Sequence, residues 1–142
     1  MGNKRLPGRT FILASSIILL VGTAFNVITA IPMLISSAYW DATLPIFIPW
    51  SYWYIFVLVS SMYTLYLCIN GIKFCNVPEK SDFLFTLGIF SLVIAILVLG
   101  FNFVALGIRI MGFAGLTMPI LYLVGAKLNV RYYEKGEHVR SV

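Results

Sequence analysis

Charged residues interrupt this chain only at wide intervals, and the stretches between them are apolar on every side. Residues 10–40 and 42–72 each run 31 positions without a charge, residues 83–108 run 26 and residues 110–126 run 17. A helix needs about 20 apolar residues to cross the hydrocarbon of a bilayer, so each of the first three stretches can hold a spanning helix. The last is about 26 Å long at 1.5 Å per residue. It spans if Arg109 and Lys127 reach outward from its two ends. The pattern predicts an all-α membrane protein. Its four transmembrane helices cover residues 10–36, 51–72, 83–106 and 108–128 in one bundle, with short tails at 1–9 and 129–142. Runs such as 17–21 and 91–99 lack the alternation of a membrane β-strand with a polar lumen face.

Composition agrees with lipid as the surrounding medium. The chain is 61% hydrophobic and 11% charged, against about 25% charged in soluble domains, and its mean hydropathy is +0.96. The net charge of +5 does not imply nucleic acid, because the basic residues sit at helix ends rather than on one face. Lys4, Arg5, Arg9, Lys73, Lys80, Lys127, Arg131, Lys135 and Arg140 fall on one side of the predicted bundle, and Arg109 stands alone on the other. That bias predicts both termini on the cytoplasmic side of the plasma membrane and opposes dual insertion. The basic start followed by Gly22-Thr23-Ala24 has the outline of a secretory signal. Its apolar character continues to Ile35, longer than a signal core, so a retained first helix is expected. Met1-Gly2 raises N-myristoylation, but that motif wants Ser or Thr where this chain has Leu6.

The predicted outer loop is bracketed by aromatics, Tyr39-Trp40 on one side and Trp50-Ser51-Tyr52-Trp53-Tyr54 on the other. Trp40, Trp50 and Trp53 are expected at headgroup depth, where a ring with a polar N–H fits. Between them, Leu44-Pro45-Ile46-Phe47-Ile48-Pro49 is apolar but broken by proline. The inner loop at 73–82 should turn at Asn76-Val77-Pro78, with Ser81 or Asp82 capping the third helix. A tight turn containing Gly107 and Gly112 should join spans three and four. Phe25-Asn26 echoes Phe101-Asn102, and Leu65-Tyr66-Leu67 echoes Leu121-Tyr122-Leu123, which suggests two pseudo-repeated helical hairpins.

Transporters and membrane enzymes usually carry ionisable groups inside their spans; here the carboxylates Asp41, Glu79, Asp82, Glu134 and Glu137 all fall at span ends or outside. Asp41 and Arg109 form a candidate outer ion pair. Gly22, Asn26 and Ala30 make a small–polar–small column at four-residue spacing, and with Asn102 they are candidates for polar packing between helices. The rival reading has Asn26, Asn102, Ser60, Ser61 and Thr64 lining a polar path. Cys68 and Cys75 lie around the cytoplasmic end of the second span, where a disulfide is not expected. One histidine, His138, is too few for a Cys/His zinc site. No catalytic residues, metal or cofactor are expected.

Small multidrug transporters have a carboxylate in their first helix, which this chain lacks. Fluoride channels have a Gly-rich Thr-containing segment that Gly112-Phe113-Ala114-Gly115-Leu116-Thr117 only faintly matches, and vitamin K epoxide reductases need a CxxC. Leu6-Pro7-Gly8-Arg9, Asn76-Val77-Pro78-Glu79-Lys80 and Pro119-Ile120-Leu121-Tyr122-Leu123-Val124-Gly125-Ala126 together resemble a loose group of small four-span membrane proteins of Gram-positive bacteria. That resemblance covers most of the chain and implies no activity. The expected function is a non-enzymatic accessory or scaffold subunit that packs, within the lipid bilayer, on a second copy or a larger membrane protein. The alternative is a small oligomeric transporter or channel.

Overall fold

A computed structural model describes the backbone of residues 6–43, 50–106 and 111–140, and the side chains of residues 6–37, 51–100 and 115–135. The described chain forms α1 (Arg9–Thr43), α2 (Trp50–Phe74), a 3-10 turn (Pro78–Lys80), α3 (Ser81–Leu106) and α4 (Met111–Arg140). Among the described residues, three segments are long and apolar enough to cross a membrane: Arg9–Ser37, Ser51–Phe74 and Pro78–Gly100. The second half of α4 carries Lys127, Arg131, Glu134 and Lys135.

The described helices differ from the predicted spans at their ends. α1 continues past the predicted end at residue 36, through Tyr39-Trp40-Asp41, to Thr43. Nothing in the sequence between Met33 and Thr43 breaks a helix. α2 starts directly after Pro49. α4 departs from the prediction at its start, since Gly112 lies inside the helix rather than in a turn; its run beyond residue 128 to Arg140 is the helical continuation expected of the tail. The predicted cap at Ser81 is not formed. The 3-10 turn leads straight into α3, so the Ser81 N–H donates to the carbonyl of Pro78. The Ser81 hydroxyl is buried without a partner.

The helices form a ring in chain order. α1 packs most extensively on α2 and α3 on α4, α1 also packs on α4, and the α2–α3 seam is the thinnest. The closest partners are therefore the two hairpins. Large apolar side chains face outward on every helix, including Val21, Phe25, Ile28 and Ile35 on α1 and Ile120, Val124 and Leu128 on α4.

A sealed core occupies the end where α1 and α3 begin. It joins Ile12, Leu67, Cys68, Cys75, Leu84, Leu87, Tyr122 and Ala126. Both cysteines are free thiols inside it. Helices approach closest at a glycine pair: a Cβ on Gly8 would collide with the carbonyl of Gly125, and a Cβ on Gly125 would sit 2.8 Å from the carbonyl oxygen of Gly8. Asn129, fully buried, ties the same corner together. Its Oδ1 accepts the Gly8 N–H at 2.7 Å, and its Nδ2 donates to the Cys75 carbonyl at 3.3 Å. The Leu6 N–H donates to Asn76 Oδ1 at 3.2 Å. Residues predicted to lie in solvated tails thus hold three helices and the inner loop at one point.

Two tyrosines in this region differ in one respect that can be tested. The Tyr63 hydroxyl donates to the Leu87 carbonyl at 2.8 Å and so crosses the thin α2–α3 seam. The Tyr122 hydroxyl is buried with no partner. Tyr63→Phe is expected to lower stability by about 0.5–1.5 kcal/mol. Tyr122→Phe should be neutral or mildly stabilising, because it removes an unpaired polar atom and no bond. Thermal denaturation in detergent checks both; a loss at Tyr122→Phe as large as that at Tyr63→Phe would show that Tyr122 is hydrogen-bonded after all.

Candidate functional site: a polar cavity between the four helices

Above the sealed core the helices separate around a cavity of about 480 Å³. All four contribute to its wall: Ile18, Leu19, Gly22, Thr23 and Asn26 from α1; Trp53, Val57, Ser60, Ser61 and Thr64 from α2; Ser91, Ile94, Ala95, Val98 and Leu99 from α3; Gly115, Met118 and Pro119 from α4. At 1.5 Å per residue, the deepest lining residues of α1, α2 and α3 lie about 15 Å from the core-side helix ends. The cavity therefore begins about three helical turns from the sealed end and extends away from it. The bundle has one closed half and one hollow half.

Helix separation has a local cause. α1 and α3 bring Gly22 and Ala95 to the wall, and α4 brings Gly115. A Cβ built on Gly22 or Gly115 meets nothing within 4 Å. These small residues leave space instead of closing a helix contact. Pro119 has no N–H, so the carbonyl of Gly115, one turn earlier, loses its i+4 donor.

Among the described residues, six lining side chains are polar and none is charged. Thr23 donates to the Leu19 carbonyl at 2.7 Å. Ser60 and Ser61 both donate to the Val57 carbonyl, at 2.9 and 2.7 Å. Thr64 donates to the Ser60 carbonyl at 2.9 Å. Each hydroxyl has given its proton to its own helix, and each retains oxygen lone pairs. Among the described residues, neither the Asn26 amide nor the Ser91 hydroxyl has a hydrogen-bond partner. A polar cavity of this volume has room for on the order of ten water molecules or for a drug-sized ligand. Among the described residues, no three His, Cys, Asp or Glu side chains converge as metal ligands would.

Comparison with protein-family models, curated proteins and solved structures finds no match to this chain.

The cavity gathers Asn26, Ser60, Ser61 and Thr64 of the predicted polar path, and Trp53 of the predicted interfacial aromatics. Trp53 packs on Phe56 with ring centroids 5.7 Å apart. The column Gly22, Asn26 and Ala30 splits: Gly22 and Asn26 are exposed to the cavity, whereas Ala30 is buried. Within the single chain a Cβ on Gly22 meets nothing within 4 Å, so Gly22 closes no helix contact there. Asn102, Asp41, Trp40 and Trp50 lie on described helices, but their side chains fall outside the described residues, as does that of His138, and Arg109 does so entirely. The candidate ion pair and the 44–49 segment are thus outside what is described.

Sequence reading missed Thr23, Ser91 and Asn129. Thr23 stands three residues before Asn26, on the same helix face. Ser91 is the one hydroxyl deep within α3 apart from Thr86 near its start.

Proposed function

We propose that the protein is a four-span integral membrane protein of the plasma membrane, with both termini cytoplasmic, that binds a small uncharged molecule in a cavity open to neither charge nor metal chemistry. The single observation behind this reading is the 480 Å³ cavity with, among the described residues, six polar and no charged lining side chains. Support for four spans comes from α4, which presents Ile120, Val124 and Leu128 outward at four-residue spacing as the other helices do. The orientation rests on nine basic residues against one. An accessory subunit acting only through its outer faces would have no use for such a hollow. Leaving six polar groups around such a space lowers the packing that holds a membrane bundle together.

The reading is tested by filling the cavity. Gly22→Leu with Gly115→Leu adds side chains where a new Cβ meets nothing within 4 Å, so the bundle should keep its stability. Binding of drug-sized uncharged amphiphiles to the protein in nanodiscs, followed through Trp53 fluorescence, should fall at least tenfold, or about 1.4 kcal/mol. Equal responses from the filled variant and the wild type would leave the accessory-subunit reading in its place. Flux of such a compound into proteoliposomes, lost in Asn26→Leu, would make the protein a transporter.

A further inference from the structure

We infer that the cavity selects an uncharged molecule that donates hydrogen bonds, a hydroxylated or amide-bearing amphiphile, over an equally shaped molecule that only accepts them. The inference rests on the cavity being a binding site and names the chemistry it reads.

The wall carries the argument. Thr23, Ser60, Ser61 and Thr64 are committed as donors to carbonyls of their own helices, at 2.7–2.9 Å. A carbonyl can only accept, so the direction of each bond is fixed. What these four side chains present to the cavity is oxygen lone pairs. A ligand that offers a donor meets an acceptor without disturbing the helix. One that offers only acceptors finds the Asn26 amide and the Ser91 hydroxyl as uncommitted donors, but at the other four side chains it must break an internal bond, and no water in the surrounding hydrocarbon replaces it.

Two further features agree. The lining residue Gly115 has a carbonyl freed of its i+4 donor by Pro119, which adds an acceptor to the same wall. Asn26 and Ser91 are uncommitted and can match one acceptor on an otherwise donating ligand.

Charge decides between two kinds of donor. An ammonium ion also donates without accepting, and Trp53 would offer it a ring face. Among the described residues no carboxylate lines the cavity, however, and an unpaired cation away from water costs several kcal/mol. The neutral donor is favoured. The apolar share of the wall, from Ile18, Val57, Ile94 and Val98, suits a hydrocarbon frame carrying those donors.

The test uses matched probes on the full chain in nanodiscs, with Trp40→Phe and Trp50→Phe so that Trp53 reports alone. The probes are 1,4-cyclohexanedimethanol, its dimethyl ether, and the corresponding protonated diamine. The diol is expected to bind 10- to 100-fold more tightly than the ether, after correction for partition into protein-free discs. That preference should collapse in Thr23→Val, Ser61→Ala, Thr64→Val, which keeps the shape of the wall and removes its oxygens. An ether that binds as well as the diol overturns the inference while leaving a binding cavity in place. A preference that survives the triple substitution overturns the assignment to these hydroxyls. A diamine that binds more tightly than the diol overturns the neutral part. If no probe changes Trp53 fluorescence, the cavity is not a binding site and the proposed function falls with it.

Discussion

Gly125→Ala is expected to lower stability by about 2–4 kcal/mol, although alanine is the better helix former. The added methyl group would sit 2.8 Å from the Gly8 carbonyl oxygen, 2.8 Å from Phe11 Cβ and 3.0 Å from Ile12 Cγ1. The first is backbone and the second is fixed to it, so neither can swing away. α1 and α4 would have to part, and parting them stretches the 2.7 Å bond between the Gly8 N–H and Asn129. The methyl group therefore costs an overpacked contact and weakens a buried hydrogen bond together. Gly22→Ala is the control. It is also a helical glycine, but its new Cβ meets nothing within 4 Å. The expected change there is within about 1 kcal/mol, and of either sign. Thermal unfolding of the two variants in one detergent measures the difference. Equal losses would mean that helix propensity, not the crossing, sets the effect, and the close approach of α1 to α4 would be wrong.

The same contrast shows what the sequence could and could not reveal. Both glycines lie in uncharged stretches of the sequence, and the linear pattern singled out Gly22, which is open, rather than Gly125, which is crowded. The helices themselves were legible, because in lipid a polypeptide backbone must satisfy its own hydrogen bonds and the charges mark where lipid ends. Their ends were less so. The aromatics Tyr39 and Trp40 suggested an interface, but an aromatic ring at headgroup depth is compatible with a helix, and α1 runs through both to Thr43. Least legible was which side of each helix turns inward. α2 and α3 are apolar nearly all round, so no amphipathic stripe points to a neighbour. The polar side chains were therefore the only guide to the interior. They gave four of the six polar lining side chains, Asn26, Ser60, Ser61 and Thr64, while Thr23 and Ser91 passed as ordinary tolerated hydroxyls. The three segments that carry the resemblance to other four-span proteins, scattered in sequence, meet at one corner: Gly8 against Gly125, and Leu6 against Asn76.

That corner depends on a residue that sequence reading assigned to a solvated tail. Asn129→Leu is expected to lower stability by about 2–4 kcal/mol, the second large effect. Leucine keeps most of the volume, so the loss is not a cavity effect. What it removes is the acceptor for the Gly8 N–H, at 2.7 Å, and the donor to the Cys75 carbonyl, at 3.3 Å. Gly8 is buried, and its amide has no alternative acceptor within its own helix because it stands just ahead of α1. An unpaired buried N–H costs about 1–3 kcal/mol, more than the roughly 0.6 kcal/mol average of a bond between membrane helices. Asn129→Asp separates the two halves of the effect, since it keeps the acceptor toward Gly8 and gives up the amide donor toward Cys75. It should lie between the wild type and Asn129→Leu in melting temperature. A tail asparagine in water would tolerate all three side chains equally. Melting temperatures that coincide for Asn, Asp and Leu at position 129 would therefore dissolve the sealed half of the bundle, and with it the floor on which the cavity rests.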